Sequence, residues 1–470
     1  MTQPSSEDTG MLVPASEVFH HVSMSELGLR GQLPVTTEGL AMELTLRIGD
    51  LLFSSGMNTQ DTILTMRRIL QTYGLARAQV DISNTSFVAS YYPGDGLPPI
   101  TSVRIVKPAV TNLTKVEAVQ RLVDEIVRGK PLEQAMRAFD TIRAMSLPYP
   151  VWVAVLGESL IGVSVQLMYT TSPRVLLISL VTGVLLNLSL RVLSRLALPP
   201  FFLQLAGGWL AVSFTTFVGW ADGHIAFFEG IDSSMVAIGC LWQLLAGLKF
   251  VAAVQDAIDT NYVTATARLL QVIMLTGGVV TGLVSGLVVL NRFGMSVTIS
   301  AEPLKLGALG PQIIGATLLG AVYLMGNYAT RRAITVASVM AALSWSGYAA
   351  TVAAGFGPIA SSFVGALVSA TVAALLLRKT AIPGFAVVAA AVIPLVPGVR
   401  LYYALFQAVG TINVAPDLGH GLSTLGVAIG VGLAIAAGAS IGMFLGRPLG
   451  DRIMTLPHTW YDRMRTNRLK

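Results

Sequence analysis

Ala246-Gly247-Leu248-Lys249-Phe250, followed by Ala253 and Ala257, is echoed by Pro397-Gly398-Val399-Arg400-Leu401, followed by Ala404 and Ala408. Each copy lies deep in an apolar stretch and sets a helix breaker just ahead of a basic side chain. Such a break is expensive in lipid, because backbone groups released from a helix need partners that hydrocarbon cannot supply. Paired breaks at corresponding points of two membrane halves are the best sequence pointer to a transporter's substrate site. The chain therefore reads as a transporter.

Composition excludes most alternatives. Of 470 residues, 53% are hydrophobic and only 12% charged, far from the balance of a soluble globular protein. The excess begins after Pro150; residues 1–149 are polar enough to live in water. A net charge of +6 carries no nucleic-acid meaning, since the basic residues cluster in short loops between apolar runs. The single cysteine, Cys240, permits no internal disulfide. Met1–Glu17 is acidic and lacks an apolar core, so no cleaved signal peptide is expected.

A spanning helix needs roughly 20 apolar residues. Ten segments qualify: Val151–Thr170, Val175–Leu193, Pro200–Trp220, Ser234–Val254, Thr264–Leu290, Leu304–Met325, Ile334–Ala354, Pro358–Leu377, Ile382–Val396 with its continuation, and Leu422–Leu445. Arg191 with Arg195, Lys249 with Arg268, Arg331 with Arg332, and Arg378 with Lys379 fall on alternate connections, on the side of both termini. The opposite connections are acidic or nearly neutral, Arg292 and Lys305 excepted. The positive-inside rule then puts both termini in the cytoplasm, and the membrane expected is the plasma membrane of a prokaryote. The fold expected is a polytopic α-helical membrane protein of ten transmembrane helices, two five-helix repeats at 150–290 and 304–446, with a basic tail at 447–470.

Five is odd, so the second repeat enters from the opposite side and the two are inverted, the geometry suited to alternating access. The fifth segments support the pairing. Gly278, Gly282 and Gly286 are spaced by four, as are Gly426/Gly430 and Gly438/Gly442. Small residues at that interval let helices approach closely in lipid, although glycine is common in membrane helices anyway.

Around the breaks, Pro397 removes a backbone donor, Gly398 eases departure from helical geometry, and Pro394 weakens the same turn. Arg400 could hold a substrate carboxylate bidentately, with Lys249 as its counterpart; the alternative is that both snorkel to the interfaces. After Gly247 come Gln255, Asp256, Asp259, Thr264, Thr266 and Arg268 between two spans. Asp256 and Asp259 could receive a substrate ammonium or a coupling proton, and Thr264 and Thr266 a substrate hydroxyl. The plain alternative is a solvated loop in which Asp256 or Asp259 pairs with Arg268. Glu158, mid-segment in the first span, either carries a proton or is hydrogen-bonded inside the bundle. No zinc motif, Walker loop or CxxC pair is present, so no metal, nucleotide or other cofactor is expected, and no enzyme activity.

Residues 38–149 read as a cytoplasmic α+β domain, preceded by a disordered segment at 1–37. Glu38–Ser54 has an apolar face and ends at Gly56; a second helix runs from Asn58 to Gly74. Strands follow at Gln79–Ser83, Ser86–Tyr92 and Ser102–Lys107, the first two joined by an Asn84-Thr85 turn, then helices near Lys115–Arg128 and Pro131–Met145. The Arg47-Ile48-Gly49-Asp50 and Ser54-Ser55-Gly56 cluster fits a helix-turn-helix junction better than a catalytic centre.

Those residues also carry a resemblance. Arg47-Ile48-Gly49-Asp50-Leu51-Leu52-Phe53-Ser54-Ser55-Gly56 resembles the opening motif of the threonine/serine exporter (ThrE) family. So do Leu198-Pro199-Pro200-Phe201-Phe202 with Gly207-Gly208, Gln255-Asp256 with Val263-Thr264-Ala265-Thr266-Ala267-Arg268, Leu275-Thr276-Gly277-Gly278, and Pro394-Leu395-Val396-Pro397-Gly398. The resemblance implies a cytoplasmic N-terminal domain, ten spans, and export of L-threonine and L-serine driven by the membrane potential or a proton gradient. Split relatives of this family are linked to succinate. Glu158, Lys249 and Arg400 are not dependable features of the family pattern, and Ala246 stands where many relatives carry Pro. The expectation is a secondary active antiporter of small hydroxy amino acids, in lipid and able to form a homo-oligomer. A C4-dicarboxylate exporter of the same fold and a passive channel are the other readings.

Overall fold

The computed structural model describes residues 36–83, 85–94, 98–106, 111–244, 247–293, 305–377, 380–409 and 417–446. Ala246, Asn84, the Arg378-Lys379 pair, the segment expected to be disordered (save Thr36 and Thr37) and the basic tail lie outside them.

The N-terminal region opens with α1 (Thr37–Ser54) and α2 (Thr59–Thr72). Both start at side-chain caps: Thr36 Oγ1 accepts from the Gly39 N–H at 3.2 Å, and Asn58 Oδ1 from the Asp61 N–H at 3.1 Å. Gly56 and Gly74, at φ +98° and +82°, follow the two helices in the left-handed region. Three antiparallel strands follow in the order β1 (Gln79–Ser83), β2 (Ser86–Tyr91), β3 (Ile100–Ile105). The third begins two residues before the expected Ser102, because Tyr91 pairs with Ile100 and extends the ladder. Helices α3 (Leu113–Val127) and α4 (Leu132–Ala144) complete the region.

One buried cluster is internal to it, with Met42, Phe53, Met66 and Phe87 at its centre. A second runs from Leu44, Ile48 and Val116 into Leu324, Ala333 and Ala390 of the apolar helices. A shared core thus joins the N-terminal region to those helices. Gly49 belongs to this packing: a Cβ there would lie 2.5 Å from Met66 Sδ. Arg47 reaches Asp140 at 3.3 Å and Asp50 reaches Arg104 at 2.8 Å, tying α1 to α4 and β3. Arg47, Gly49 and Asp50 thus serve packing and tethering.

Next come α5 (Val151–Leu167), α6 (Pro173–Ser194), α7 (Pro200–Asp222), α8 (Ser233–Leu244), α9 (Gly247–Ile258) and α10 (Tyr262–Arg292). They are followed by α11 (Leu309–Gly326), α12 (Arg331–Ala353), α13 (Pro358–Leu376), α14 (Gly384–Val392), α15 (Gly398–Val409) and α16 (Leu418–Gly446). Among the described residues seven of these helices are long and apolar enough to cross a membrane, eight if α8 and α9, bent by 41°, count as one. Two of the ten expected segments are shorter: α5, and the stretch Gly384–Leu395. The protein is a polytopic helical membrane protein.

The second break has a local cause. At Ile393–Leu395 the helix tightens into a 3-10 turn containing Pro394, and Val396 is extended at ψ 129°. Pro397, with no N–H and a fixed φ, bars the α-helix from continuing, and α15 restarts at Gly398.

The glycine spacing also does what it suggested. Gly278 and Gly282 of α10 lie against the carbonyls of Phe201 and Leu205 in α7, and Gly438 and Gly442 of α16 against those of Phe363 and Leu367 in α13. A Cβ at Gly278 would be 2.6 Å from the Phe201 oxygen, and one at Gly438 2.5 Å from the Phe363 oxygen. Gly426 differs: nothing lies within 4 Å of a Cβ there. Helix pairings recur between halves, α5 with α6 as α11 with α12, α7 with α10 as α13 with α16, α9 with α10 as α15 with α16.

Candidate functional site

The end of α8 and the start of α9 cross the break between α14 and α15. Gly247 packs against the Val396 side chain so closely that a Cβ there would collide with Cγ1. Gly398 faces the Trp242 indole in the same way: a Cβ there would lie 2.5 Å from Cε3 and 2.7 Å from Cζ3. Each break thus lends a glycine to the other's bulky residue, and the echoed sequences meet in space. The requirement for glycine here is one of close approach.

A cavity opens on each side of this crossing. The first, about 220 Å³, is lined by Pro394, Pro397, Arg400, Tyr169, Tyr348 and Tyr403, with Trp242 and Val396 at its boundary. That is below the roughly 300 Å³ at which drug-sized pockets begin, so it suits a metabolite of a few heavy atoms. Its aromatic wall is fixed: Trp345 stacks on Tyr348 at 4.9 Å, and its indole N–H donates to Gln312 Oε1 at 3.1 Å. The second cavity, about 430 Å³, lies on the side of the N-terminal region and is lined by Lys249, Gln255, Asp259, Arg268, Gln271 and Val392. Among the described residues neither Arg400 nor Lys249 has a carboxylate partner, and the lining of the first cavity contains no acidic residue, whereas Asp61 and Asp259 border the second. An uncompensated cation in a small, partly apolar cavity attracts an anionic group strongly, since the local dielectric is low.

The residues singled out by the sequence fall into three groups. Lys249, Gln255, Asp259 and Arg268 gather on the second cavity, and Pro394, Pro397 and Arg400 on the first, with Gly247 and Gly398 between. Asp256 and Thr264 do something else: they hold the N-terminal region. The Thr59 N–H, in the first turn of α2, donates to Asp256 Oδ1 at 3.1 Å, and Arg268 Nη1 lies 2.6 Å from Oδ2. A carboxylate at a helix N-terminus is favoured by the exposed N–H groups there. Asp256 is fully buried and the Arg268 side chain 12% exposed, so the pair with Asp256 is no solvated loop contact. The guanidinium also lies over the Phe53 ring at 4.8 Å. Thr264 Oγ1 donates to the Ile82 carbonyl at 3.3 Å. Thr266 is exposed, and its hydroxyl donates to Tyr262 O of its own helix at 2.8 Å. Glu158 pairs with Arg191 of α6 at 2.7 Å, the quieter of its two readings.

Two sets of residues escape a reading of the sequence alone. Asn187 Nδ2 donates to Gln243 Oε1 at 2.8 Å and to Ser159 Oγ at 3.2 Å, a polar chain across α5, α6 and α8. Amides in apolar runs are the available signal. The other set, Phe53, Ser54, Gly56, Asn58 and Asp61, brings the α1–α2 corner onto the second cavity. No sequence spacing announces that. Among the described residues no group of three or more His, Cys, Asp or Glu could hold a metal ion.

Two family models match the chain: "Putative threonine/serine exporter" over residues 43–290 and "Threonine/Serine exporter, ThrE" over residues 312–444. Similar curated proteins include the "Probable threonine/serine exporter" of Mycobacterium tuberculosis (strain ATCC 25618 / H37Rv), 29% identical over 418 residues, 87% of this chain and 77% of that protein. The "Threonine/serine exporter" of Corynebacterium glutamicum is 28% identical over 416 residues, 87% of this chain and 83% of that one. No solved structure matches the chain significantly.

Proposed function

The chain belongs to the threonine/serine exporter (ThrE) family, and from that premise we propose that it exports small hydroxy amino acids, L-threonine and L-serine, by alternating access. The observation that carries this reading is the crossing of the broken spans at Gly247–Val396 and Gly398–Trp242 with a cavity on either side. Opening one side while the other stays shut requires a thin, tightly packed partition at the substrate's depth, and four residues in contact supply one. Ten spans in two inverted repeats accommodate the recurring helix pairings, with α8/α9 and α14/α15 as the broken fourth span of each repeat. Both termini lie in the cytoplasm of the plasma membrane in this scheme, and the N-terminal region is the cytoplasmic domain.

Arg400 receives the substrate carboxylate in the first cavity, and the Tyr169, Tyr348 and Tyr403 ring faces and hydroxyls surround the small side chain. Of the carboxylates nominated for proton coupling, Asp259 is the one that lines a described cavity. The coupling role therefore goes to Asp259. A C4 dicarboxylate is the weaker reading because Lys249 and Arg400 line different cavities, and one short diacid cannot engage both across the closed crossing.

Proteoliposomes loaded with labelled threonine, serine or succinate test this, with and without an imposed proton gradient. Gradient-stimulated efflux of threonine and serine, lost in Asp259→Asn, is the expected result. Efflux of succinate alone overturns the cargo, and equal leakage of all three without a gradient overturns coupled transport.

A further inference from the structure

We propose that the second cavity is a loading site for a small zwitterion, built jointly by the N-terminal region and the membrane helices. The inference rests on the exporter reading and extends it to a binding site that includes part of the N-terminal region. Ser54, Asn58 and Asp61 of the α1–α2 corner and Lys249, Gln255 and Gln271 of α9 and α10 line one cavity of about 430 Å³. Lys249 supplies a cation without a carboxylate partner among the described residues, for an α-carboxylate, and the amide oxygens of Asn58, Gln255 and Gln271 can accept from an α-ammonium. Gln255, Gln271 and Asn58 add neutral donors and acceptors of the kind a side-chain hydroxyl uses.

A cavity between two regions could be an accident of loose contact. Here the corner is fixed in place. Asp256 binds the start of α2 through the Thr59 N–H while holding Arg268, and Arg268 in turn lies over Phe53, the residue preceding Ser54. Thr264 joins β1 through Ile82. The buried contacts therefore set the position of the very loop that walls the cavity. The ligand class follows from the lining: one cavity bordered by both cationic and acidic side chains suits a zwitterion, and it is roomier than the first, as a site of lower selectivity would be.

Thiol protection in the detergent-solubilised full-length protein tests this without requiring transport. Ser54→Cys reports on the N-terminal wall, Gln271→Cys on the membrane wall, and Thr72→Cys, exposed near the end of α2, is the control. Native Cys240 is buried and stays silent toward maleimide. A ligand that fills the site slows labelling by 1 + [L]/Kd, about tenfold at ten times Kd. Threonine and serine are expected to slow labelling of both Ser54→Cys and Gln271→Cys and to leave Thr72→Cys unchanged. Protection of Gln271→Cys alone, or of neither wall while the wild-type protein transports threonine, overturns the joint site. Protection by succinate but not by the amino acids overturns the zwitterion class. Protection of both walls by amino acids that the wild type fails to transport would keep the site and sink the exporter reading.

Discussion

The Thr59 amide and the Asp256 carboxylate lie 3.1 Å apart although 197 residues separate them, and that contact joins the N-terminal region to the membrane helix α9. Replacing Asp256 by Asn keeps an acceptor for the amide but strands the Arg268 charge. Breaking a buried pair in this way costs about 3–5 kcal/mol. Asp256→Asn is expected to lower thermal stability and to speed hydrogen exchange in the first turn of α2, and Arg268→Gln added to it to recover much of the loss. Unchanged exchange in the single variant would show that the pair does not hold the region.

At the crossing, Gly247→Ala forces a methyl group into Val396. Overpacking of this kind costs roughly 1–3 kcal/mol, unless the neighbour shrinks. Efflux is expected to fall in Gly247→Ala and to return in Gly247→Ala/Val396→Ala. A double variant no better than the single one would mean the partition is not set by this contact.

On the proposed reading, Arg400→Gln removes a charge-assisted hydrogen bond to the substrate carboxylate. Such bonds are worth about 1.5–3 kcal/mol, so KM should rise by roughly ten- to a hundredfold. Lys249→Gln, on the other cavity, should leave that half of the cycle intact and slow loading from the side of the N-terminal region. An unaltered KM in Arg400→Gln removes it from the site.

The glycine contacts make a sharper test, because two glycines of one helix differ. A Cβ at Gly442 would lie 2.7 Å from the Leu367 carbonyl oxygen and from Ala370 Cβ, whereas one at Gly426 would face open space. Gly442→Leu is expected to separate α16 from α13 and to lower the unfolding temperature by several degrees. Gly426→Leu should change stability by no more than about 0.5 kcal/mol. Equal effects from the two would refute packing as the reason for the spacing.

The features legible in the sequence are those set by local physics. Asn58 announces a helix start, Gly56 and Gly74 helix ends, and Pro394 with Pro397 a break, since each acts on its own few residues, whereas the cap at Thr36 falls in the stretch read as disordered. The four-residue glycine interval is legible for the same reason, although only contacts show that Gly438 and Gly442 carry it and Gly426 does not. Asp256 stands out in the sequence as costly, yet its surroundings do not: its partners include a backbone amide in α2, and no pattern in one sequence links positions so far apart. The cavity-lining role of Ser54 and Asn58 is hidden likewise, because a helix-turn-helix junction explains the same residues without reference to anything beyond it.

The N-terminal region is held at both ends. Asp256 binds it to α9, and its far end is tied to the second half: the Leu113 and Thr114 N–H groups donate to Asn327 and Tyr328 carbonyls at 3.0 and 3.1 Å, and Thr330 Oγ1 donates to Glu117 at 2.8 Å. A body riveted to both halves is a yoke. If the halves rock against each other, the yoke must flex, slide or let go at one end, and its stiffness enters the rate of every cycle. Whatever grips or loosens it from the aqueous side then acts as a throttle.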